Sequence, residues 1–553
     1  MRPPPKPRHL AAALILIGVA AVYAYLAMLD SSYSEDQLQA ATAMRKLHDP
    51  SLYVADPVFG PSGLWRLRAG AFERLMVPLY ALREQRPLWP MRAAAGPVSA
   101  IYLLSMYALL FSQTRSWPVA VVVAVLSSVT VQAAGGAFWG AGPLWTVSPM
   151  GLAVALTPLA ALALAGRRSW RRDLWAGLVV LAGAQVHMGW TVNLAMVLSL
   201  ACLADRRDRR AAWRVLALLG ALVAGTAASL WLRGLGQVPG AEPPTLSMSG
   251  VRAAFALAGS DLLYPRLLDR LAQWALMAGV LAAPSVVILL RMERYRLHNL
   301  RFWLAVGGAA LLVGLVLSGV AQVLGASQGR CWYVGFPMAV AIVLLPIWVL
   351  LAQALTVLFR IFRSWRRLVG WLLAILGVLW FLPSDNVRVI RRQAYTLASS
   401  FMAPEDKPRR LTQIQERRQR DSELERIARW ASRQTDPQAV FLNDQAVLRA
   451  RSGRSLAACP QDLLLMFYLQ PARLEGWRLR LERMNHLLQP AGDIADSAAI
   501  RQLAVDLAAG PPFDQASQWY VVLPVRVQLP QLGLLEPVED AGWGQHFRVY
   551  RIH

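Results

Sequence analysis

Apolar residues dominate eleven stretches of the chain, and short segments that carry arginine separate about half of the neighbouring pairs. Most stretches can cross a hydrocarbon core of about 30 Å, which takes about 20 apolar residues at about 1.5 Å per residue. Because lipid offers no water to unsatisfied backbone groups, such spans must be helices. The pattern therefore predicts an α-helical polytopic membrane protein with about eleven transmembrane helices. The stretches are His9–Leu29, Gly96–Thr114, Trp117–Ala137, Met150–Ala165, Leu174–Val186, Gly189–Ala204, Ala212–Leu232, Leu271–Leu290, Phe302–Leu324, Trp332–Leu358 and Leu368–Leu382.

The arginine-rich loops predict an orientation for these helices. With the N-terminus in the cytoplasm, alternation puts the basic loops inside, as the positive-inside rule requires. An odd number of spans then places the tail, residues 383–553, outside the cytoplasm. The first stretch lacks a small-residue cleavage site, so we expect an uncleaved anchor. The inside loops carry Arg115, Arg167, Arg168, Arg171, Arg172, Arg206, Arg207, Arg209, Arg210, Arg291, Arg294, Arg296, Arg301, Arg360, Arg363, Arg366 and Arg367.

The apolar block Leu174–Ala204 is too long for one upright helix and has arginines at both ends. Two short helices that meet at His187–Trp190 would keep both ends inside. We therefore expect a hairpin whose tip reaches the outer leaflet. A single tilted helix here would reverse the orientation of everything that follows.

Composition agrees with a membrane core and a soluble appendage, since 56% of the 553 residues are hydrophobic and 21 are Trp. The formal net charge of +24 would suggest nucleic acid as a partner of a soluble protein. Here the excess falls in the loops predicted to face the cytoplasm and anionic lipid, so no nucleic-acid partner is expected. Cys331 and Cys459 both fall on the predicted outer side, where a disulfide is allowed.

Residues 1–382 form the predicted transmembrane domain, with large outer loops at residues 30–95 and 233–270. Residues 383–553 form a predicted extracytoplasmic α/β domain, because helical and strand patterns alternate there. Arg449, Arg451 and Arg454 are expected in a loop. The predicted helices are Leu411–Arg433 and Gln461–Met484, and the predicted strands are Ala439–Leu442, Trp519–Pro524 and His546–Ile552.

The first outer loop carries a concentration of acids, beginning where the first helix leaves the membrane. A carboxylate at that height can accept a proton from a hydroxyl that reacts with a lipid-linked donor. Asp30, Asp36 and Asp56 are all candidates for this base. Glu35 and Asp36 could together hold a divalent metal ion such as Mg²⁺ or Mn²⁺. The alternative interpretation is that these acids solvate the loop or cap a short helix at Gln37–Leu47.

Two further polar residues fall at the same predicted height. Arg330 lies in a short outer loop, and a guanidinium can bind phosphate through two parallel hydrogen bonds. His187 lies at the hairpin tip, where a polar side chain is costly unless it faces water or protein. Both are candidate ligands of a donor phosphate. Arginine that reaches lipid headgroups and histidine with a structural role are the alternatives.

Together these features resemble the type C (GT-C) membrane glycosyltransferase superfamily. The common features are an uncleaved first helix, a large first outer loop with an acid soon after that helix, a hairpin with His at its tip, and an outer C-terminal domain. Short segments resemble a bacterial branch of GT-C-like proteins more narrowly. They are Asp36-Gln37, Asp49–Tyr53, Asp56, Trp430–Leu442 and Ser452–Ser455.

The resemblance implies transfer of a sugar from a polyprenyl-phosphate donor to a glycan, lipid or protein acceptor outside the cytoplasm. A first-loop acid, matched best by Asp36, would be the base, and Arg330 and His187 would hold the donor phosphate. The implied location is the bacterial inner membrane, with a periplasmic tail. A clean Asp-x-Asp motif does not occur in the first loop, which leaves a metal requirement open.

Two other classes of function remain open at this point. A transporter or flippase for lipid-linked glycans would favour charged residues in mid-membrane or broken helices. The apolar stretches contain almost no charge. A non-catalytic assembly protein of an envelope-glycan system would keep the same architecture without a working base.

Overall fold

The protein is described here from a computed structural model that is mostly helical. Four helices are long and apolar enough to cross a membrane: Pro7–Leu29, Trp89–Thr114, Ala212–Ser229 and Met338–Ile361. The structure describes residues 7–29, 33–60, 64–67, 69–84, 86–131, 139–142, 148–165, 169–204, 211–232, 248–257, 279, 282–290, 300–317, 336–361, 366–402, 409–469, 473–488, 494–529, 533–539 and 543–553.

The first half of the chain forms a helical bundle with an excursion between its first two long helices. Two helices of the first outer loop, α2 and α3, make this excursion. Tyr102 and Trp190 are among the buried side chains at the centre of the bundle. The helices are α1 (Pro7–Leu29), α2 (Glu35–His48), α3 (Ala71–Ala81), α4 (Trp89–Thr114), α5 (Trp117–Ser128), α6 (Pro149–Ala165), α7 (Trp170–Val186), α8 (Met188–Ala204), α9 (Ala211–Leu232) and α10 (Met248–Leu257).

The second half completes the bundle and leads into the tail. Residues 282–290 are helical, and α11 (Leu300–Leu311) continues into a short π-helix at Leu312–Leu317. The remaining helices of this part are α12 (Phe336–Ala341), α13 (Leu344–Ile361), α14 (Arg366–Phe381) and α15 (Asp385–Ser400). The predicted span Trp117–Ala137 is shorter than expected, because α5 ends at Ser128.

The predicted break at His187 is present, and α7 and α8 form a hairpin. Asp173 near the start of α7 pairs with Arg214 near the start of α9, at 3.1 Å. Toward the end of α7, the Gln185 side chain donates to the carbonyl oxygen of Gly225 at 2.6 Å. Helices α7 and α9 therefore run in the same direction. Helix α8, which connects them in the chain, runs in the opposite direction.

Both outer loops and the tail lie at the same end of the bundle. Helix α10 of the second outer loop places Phe255 edge-on against Phe467 of the tail, with ring centroids 5.2 Å apart. The first outer loop contributes Leu38 and Phe72 to an apolar cluster that also contains Phe441 of the tail. This clustering agrees with a common outer side for the three segments.

The tail contains a five-stranded sheet surrounded by helices. Its strand order is β2-β1-β3-β5-β4, with β1 parallel to β2 and β3, and β5 antiparallel to β3 and β4. The side chains of β1 and β3 are apolar and mostly buried, which is why the sequence pattern predicted both strands. The elements are α16 (Arg409–Gln434), β1 (Val440–Leu442), α17 (Ala446–Ser452), β2 (Ser455–Leu456), α18 (Leu463–Leu469), α19 (Leu474–Leu488), α20 (Ser497–Ala508), β3 (Trp519–Pro524), β4 (Leu535–Val538) and β5 (Phe547–Ile552).

Two expectations for the tail need correction. The predicted helix Gln461–Met484 is two helices, α18 and α19, since the chain leaves α18 at Leu469 and Pro471 follows. Arg449 and Arg451 lie on the short helix α17 and not in a loop. Gly453 ends α17 with a positive φ of 75°, a backbone conformation that suits glycine.

The ion pair between Asp173 and Arg214 gives a first testable prediction. Only 10% of the Asp173 side chain and 4% of the Arg214 side chain are exposed. Asp173→Asn removes the charge that compensates a buried guanidinium, which should lower the free energy of unfolding by about 3–5 kcal/mol. Thermal unfolding of the purified protein in detergent measures the change.

The matched control is Glu482→Gln, which breaks the exposed pair with Arg478 on α19. That change should cost at most about 1 kcal/mol. Equal unfolding midpoints for the two variants would contradict the structural role given to Asp173.

Candidate functional site

The first outer loop is joined to the tail by a buried ionic cluster centred on Arg449 of α17. The guanidinium donates to both carboxylate oxygens of Asp462, at 2.9 and 2.7 Å. Its Nη1 also lies 3.6 Å from a carboxylate oxygen of Asp56, and its plane lies over the Phe59 ring at 4.7 Å. All three charged side chains are buried. We call Arg449, Asp462 and Asp56 the ionic clasp.

Both carboxylate oxygens of Asp56 accept hydrogen bonds from backbone N–H groups. Oδ1 accepts hydrogen bonds from the backbone N–H groups of Val58 and Phe59, at 3.0 and 2.9 Å. Oδ2 accepts from the N–H of Leu456 at 3.2 Å. The tight turn requires glycine at position 60, because a Cβ there would lie 2.4 Å from the Asp56 carbonyl oxygen. Asp56 therefore fixes the loop to strand β2.

The Arg449 guanidinium keeps its charge in spite of its burial. Burial alone would lower the pKa of the Arg449 guanidinium, but the carboxylates of Asp462 and Asp56 outweigh it and raise that pKa well above its ordinary value. The neighbouring Cys459 thiol has a pKa raised by burial. Cys459 is a free thiol, and Cys331 lies outside the described residues.

Helix α2 is attached to the tail by further contacts on the same side. Arg45 donates to the carbonyl oxygen of Ala450 at 2.9 Å, near the C-terminal end of α17. Gln39 donates to the carbonyl oxygen of Gln461, next to Asp462 of the clasp. The Tyr53 hydroxyl donates to the Arg449 carbonyl oxygen at 3.2 Å. These contacts hold α2 in one orientation relative to the tail.

Asp36 lies in the first turn of α2, which begins with a capping box. The Ser34 hydroxyl oxygen accepts from the Gln37 N–H at 3.3 Å, and the Gln37 side chain accepts from the Ser34 N–H at 2.9 Å. This reciprocal pair satisfies two donors at the helix start. Asp36 is half-buried, at the helix end where the backbone dipoles favour a negative charge. The local sequence thus builds a rigid position for one carboxylate.

A group of charged side chains surrounds Tyr33, three residues before Asp36. Burial raises the pKa of the Tyr33 hydroxyl, Asp421 and Glu425 add to the increase, and Arg451 and Arg92 act in the opposite direction. Arg451 of α17 pairs with Glu425 of α16 at 2.7 Å. The start of α2 is therefore close to charges from α4, α16 and α17. We call Tyr33, Arg92, Asp421, Glu425 and Arg451 the exit cluster.

Further arginines, from α16 itself and from α15, lie close to Asp421 of α16. Burial raises the pKa of the Asp421 carboxyl, while Arg420, Arg392 and Arg417 act in the opposite direction. Cations from α15 and α16 thus extend the exit cluster. The surroundings of Asp421 are rich in positive charge, which suits an anionic group.

His187 lies at the hairpin tip, as its sequence position predicted. Its backbone N–H donates to the Gly183 carbonyl at the end of α7, and its Nδ1 accepts from the Trp190 N–H at 3.0 Å. The tip meets the first outer loop, because Val186 and Met76 of α3 pack against the same apolar cluster as Leu38 of α2. The structure thus brings the hairpin tip and the Asp36 loop to one end of the bundle.

Asp30, Arg330 and the side chain of Glu35 lie outside the described residues. Among the residues that the structure does describe, no group of three His, Cys, Asp or Glu side chains is arranged to hold a metal ion. Two clefts of about 610 and 490 Å³ occur elsewhere, beside Arg83 and between α19 and α20.

Sequence reasoning missed the partnership of Arg449 with Asp56 and Asp462. These residues are separated by up to about four hundred positions, and neither periodicity nor spacing pairs them. One available signal was the crowding of Arg449, Arg451 and Arg454 between apolar residues.

No protein-family model matches the chain, and no curated protein matches it. Among solved structures, the chain is similar to the oligosaccharyltransferase AglB from Archaeoglobus fulgidus in complex with an inhibitory peptide and a dolichol-phosphate. The identity is 13%, the TM-score is 0.44, and the match covers 94% of this chain and 69% of that one.

The chain is also similar to ArnT from Cupriavidus metallidurans bound to undecaprenyl phosphate. The identity is 12%, the TM-score is 0.48, and the match covers 97% of each chain. Both proteins are GT-C glycosyltransferases, the superfamily that the sequence resembles. TM-scores below 0.5 do not establish a common activity, which for this chain depends on its own residues.

The ionic clasp gives the second prediction. Arg449→Met leaves two carboxylates buried without their cation, which should lower the free energy of unfolding by about 3–5 kcal/mol. Thermal unfolding measures the loss, and limited proteolysis should show faster cleavage of the first outer loop around Val54.

Arg451→Gln is the matched control, because it removes the neighbouring arginine of α17 from a partly exposed pair. Its cost should stay at or below about 1 kcal/mol. If Arg449→Met were no less stable than this control, the clasp would not join the loop to the tail.

Proposed function

We propose that the protein is a membrane glycosyltransferase that transfers a sugar from a polyprenyl-phosphate donor to an acceptor outside the cytoplasm. The observation that carries the proposal is the position of Asp36. Its carboxylate lies at the start of a capped helix, at the bundle end shared by the outer loops and the tail. A rigidly held carboxylate next to the lipid phase is what a general base for such a reaction requires.

The reaction assigned to this site is a substitution at the anomeric carbon of the donor sugar. The acceptor oxygen forms a bond to that carbon while the bond from the carbon to the phosphate oxygen breaks. Asp36 takes the proton of the acceptor hydroxyl. The polyprenyl phosphate leaves with the bonding electrons, and cations near the membrane surface stabilise its charge.

Arg330 and His187 are the proposed ligands of the donor phosphate. The support for His187 is its place at the hairpin tip, next to Val186, which packs against the same apolar cluster as Leu38 of the first outer loop. A guanidinium suits the phosphate because it offers two parallel donors.

Asp56, one of the alternative bases, fits the reaction less well. Asp56 is fully buried, and its oxygens are engaged by three backbone N–H groups and by Arg449. It is better suited to holding the loop than to receiving a proton from a substrate. Asp30, the other alternative, lies outside the described residues.

The proposed location is the bacterial inner membrane, with the tail in the periplasm. The support is that basic residues lie at one end of the bundle, while the large loops and the tail lie at the other end. Arg115 follows α4, and Arg172 lies in the first turn of α7, both at one end of the bundle. The outer loops and the tail share the other end. Short basic loops stay in the cytoplasm.

The third prediction tests the base. Asp36→Asn should lower turnover by about 10²–10⁴-fold, because an amide of equal size cannot take the proton. Folding and membrane insertion should be unchanged, since the capping box of Ser34 and Gln37 does not involve the Asp36 carboxylate. Turnover is measured as glycan transfer in cells that lack the native protein, with thermal unfolding measured in parallel.

Asp49→Asn is the matched control, because Asp49 belongs to the same loop and bonds only locally to Ser51. It should retain transfer. Full transfer by Asp36→Asn would exclude Asp36 as the base. Retained transfer by Asp30→Asn and Asp56→Asn as well would favour the non-catalytic assembly role.

The fourth prediction tests the topology. A reporter that is active only in the cytoplasm, fused after His553, should give no signal, because an odd number of spans puts the tail outside. The same reporter fused after Arg206, between α8 and α9, should be active and serves as the control. A strong signal from the His553 fusion would place the tail inside.

A further inference from the structure

The helix α15 that follows the last predicted span carries an exposed apolar face. Ile390, Leu397 and Phe401 are 45%, 65% and 83% exposed, and the exposed Ala394 lies between them. At about 100° per residue, the spacing of four, three and four positions puts these side chains on one side of a helix. This face is apolar and uncovered by the described part of the chain.

The same spacing continues from the preceding helix. Trp371, Ile375, Val378 and Leu382 form an exposed apolar row on α14 and the turn after it. That row coincides with the eleventh predicted span, so it faces lipid in the predicted topology. Pro383 then turns the chain into α15, and the Ser384 hydroxyl caps the new helix at the Val387 N–H. Exposed apolar side chains thus occur both before and after the turn at Pro383.

The opposite side of α15 packs on the bundle and sets the position of this helix relative to the end of α1. Asn386 and Val389 are buried against the bundle. The Gln393 side chain donates to the carbonyl oxygen of Leu29 at 2.6 Å. Leu29 is the last residue of α1, the first predicted span. Since Asn386 also bonds to the Tyr23 side chain, α15 packs beside the last two turns of α1, at the end of the first predicted span.

Charge on the flank of α15 complements an anionic surface. Arg391 is exposed and lies about 100° around the helix from Ile390. Arg388, half-exposed, pairs with Asp385 at 3.2 Å and adds to the basic side. Helices with an apolar face and flanking arginines lie in the headgroup plane and bind anionic lipid.

We propose that α15 lies in the outer leaflet surface as an interfacial helix, with Ile390, Leu397 and Phe401 among the acyl chains and Arg391 at the anionic lipid phosphates. The helix would hold the tail at a fixed height above the bilayer. This inference does not depend on the transferase activity, and it can fail or hold separately from it.

The test is the depth of a nitroxide label on Phe401→Cys in the full-length protein, reconstituted in nanodiscs of phosphatidylcholine. The label should be more accessible to oxygen than to a water-soluble nickel chelate. Leu14→Cys on the exposed face of α1 is the lipid control, and Val505→Cys on α20 is the water control. Labelling of the three native cysteines is measured on the unmodified protein and subtracted.

A second measurement adds phosphatidylglycerol to the nanodiscs. The oxygen preference at position 401 should rise with anionic lipid, and Arg391→Gln should abolish that rise. A label at position 401 that behaves like the one at position 505 would overturn the proposal. Protection from both reagents would also overturn it, because a protein partner or a second copy would then cover the face. If the oxygen preference at position 401 still rose with anionic lipid in Arg391→Gln, the proposed contact between Arg391 and the lipid phosphates would be wrong.

Discussion

The buried ion pair between Arg449 and Asp462, with Asp56 beside it, is the constraint on which the outer part of the molecule depends. Charges taken out of water lose several kcal/mol of hydration each, roughly, and recover it only with good geometry and full hydrogen bonding. Here the guanidinium is bidentate, and backbone N–H groups complete the shell of Asp56. The arrangement tolerates one relative position of loop and tail, so it confers specificity more than stability.

That constraint links the tail to the proposed chemistry. Helix α2 carries Asp36 at its start and Arg45 near its end, and Arg45 is bonded to the helix that presents Arg449. The tail therefore determines where the proposed base stands above the bilayer. A catalytic group must be held to a fraction of an ångström, and a long loop between two spans could not do so alone. We infer that the tail serves as the support of the first outer loop.

Local patterns predicted much of this architecture, and long-range pairings were beyond them. The break at His187 followed from the length of one apolar block, β1 and β3 from short apolar runs, and β5 from apolar residues that arginine interrupts. Strand β4 was missed because it is short and contains Glu536 and Pro537, and α15 because its apolar face is mixed with arginine. Asp36 was singled out by the resemblance to GT-C glycosyltransferases. The engagement of Asp56 could not be foreseen, because its partner follows almost four hundred residues later.

Hydrogen exchange in helix α2 tests the central claim most directly. The account predicts that Arg449→Met speeds amide exchange across residues 38–48, although none of those residues is changed, because the clasp no longer holds the loop on the tail. Arg451→Gln, on the same helix α17, should leave that exchange as it is in the unmodified protein. Equal protection of α2 in Arg449→Met and the unmodified protein would contradict the account, since the loop would then be ordered without the clasp.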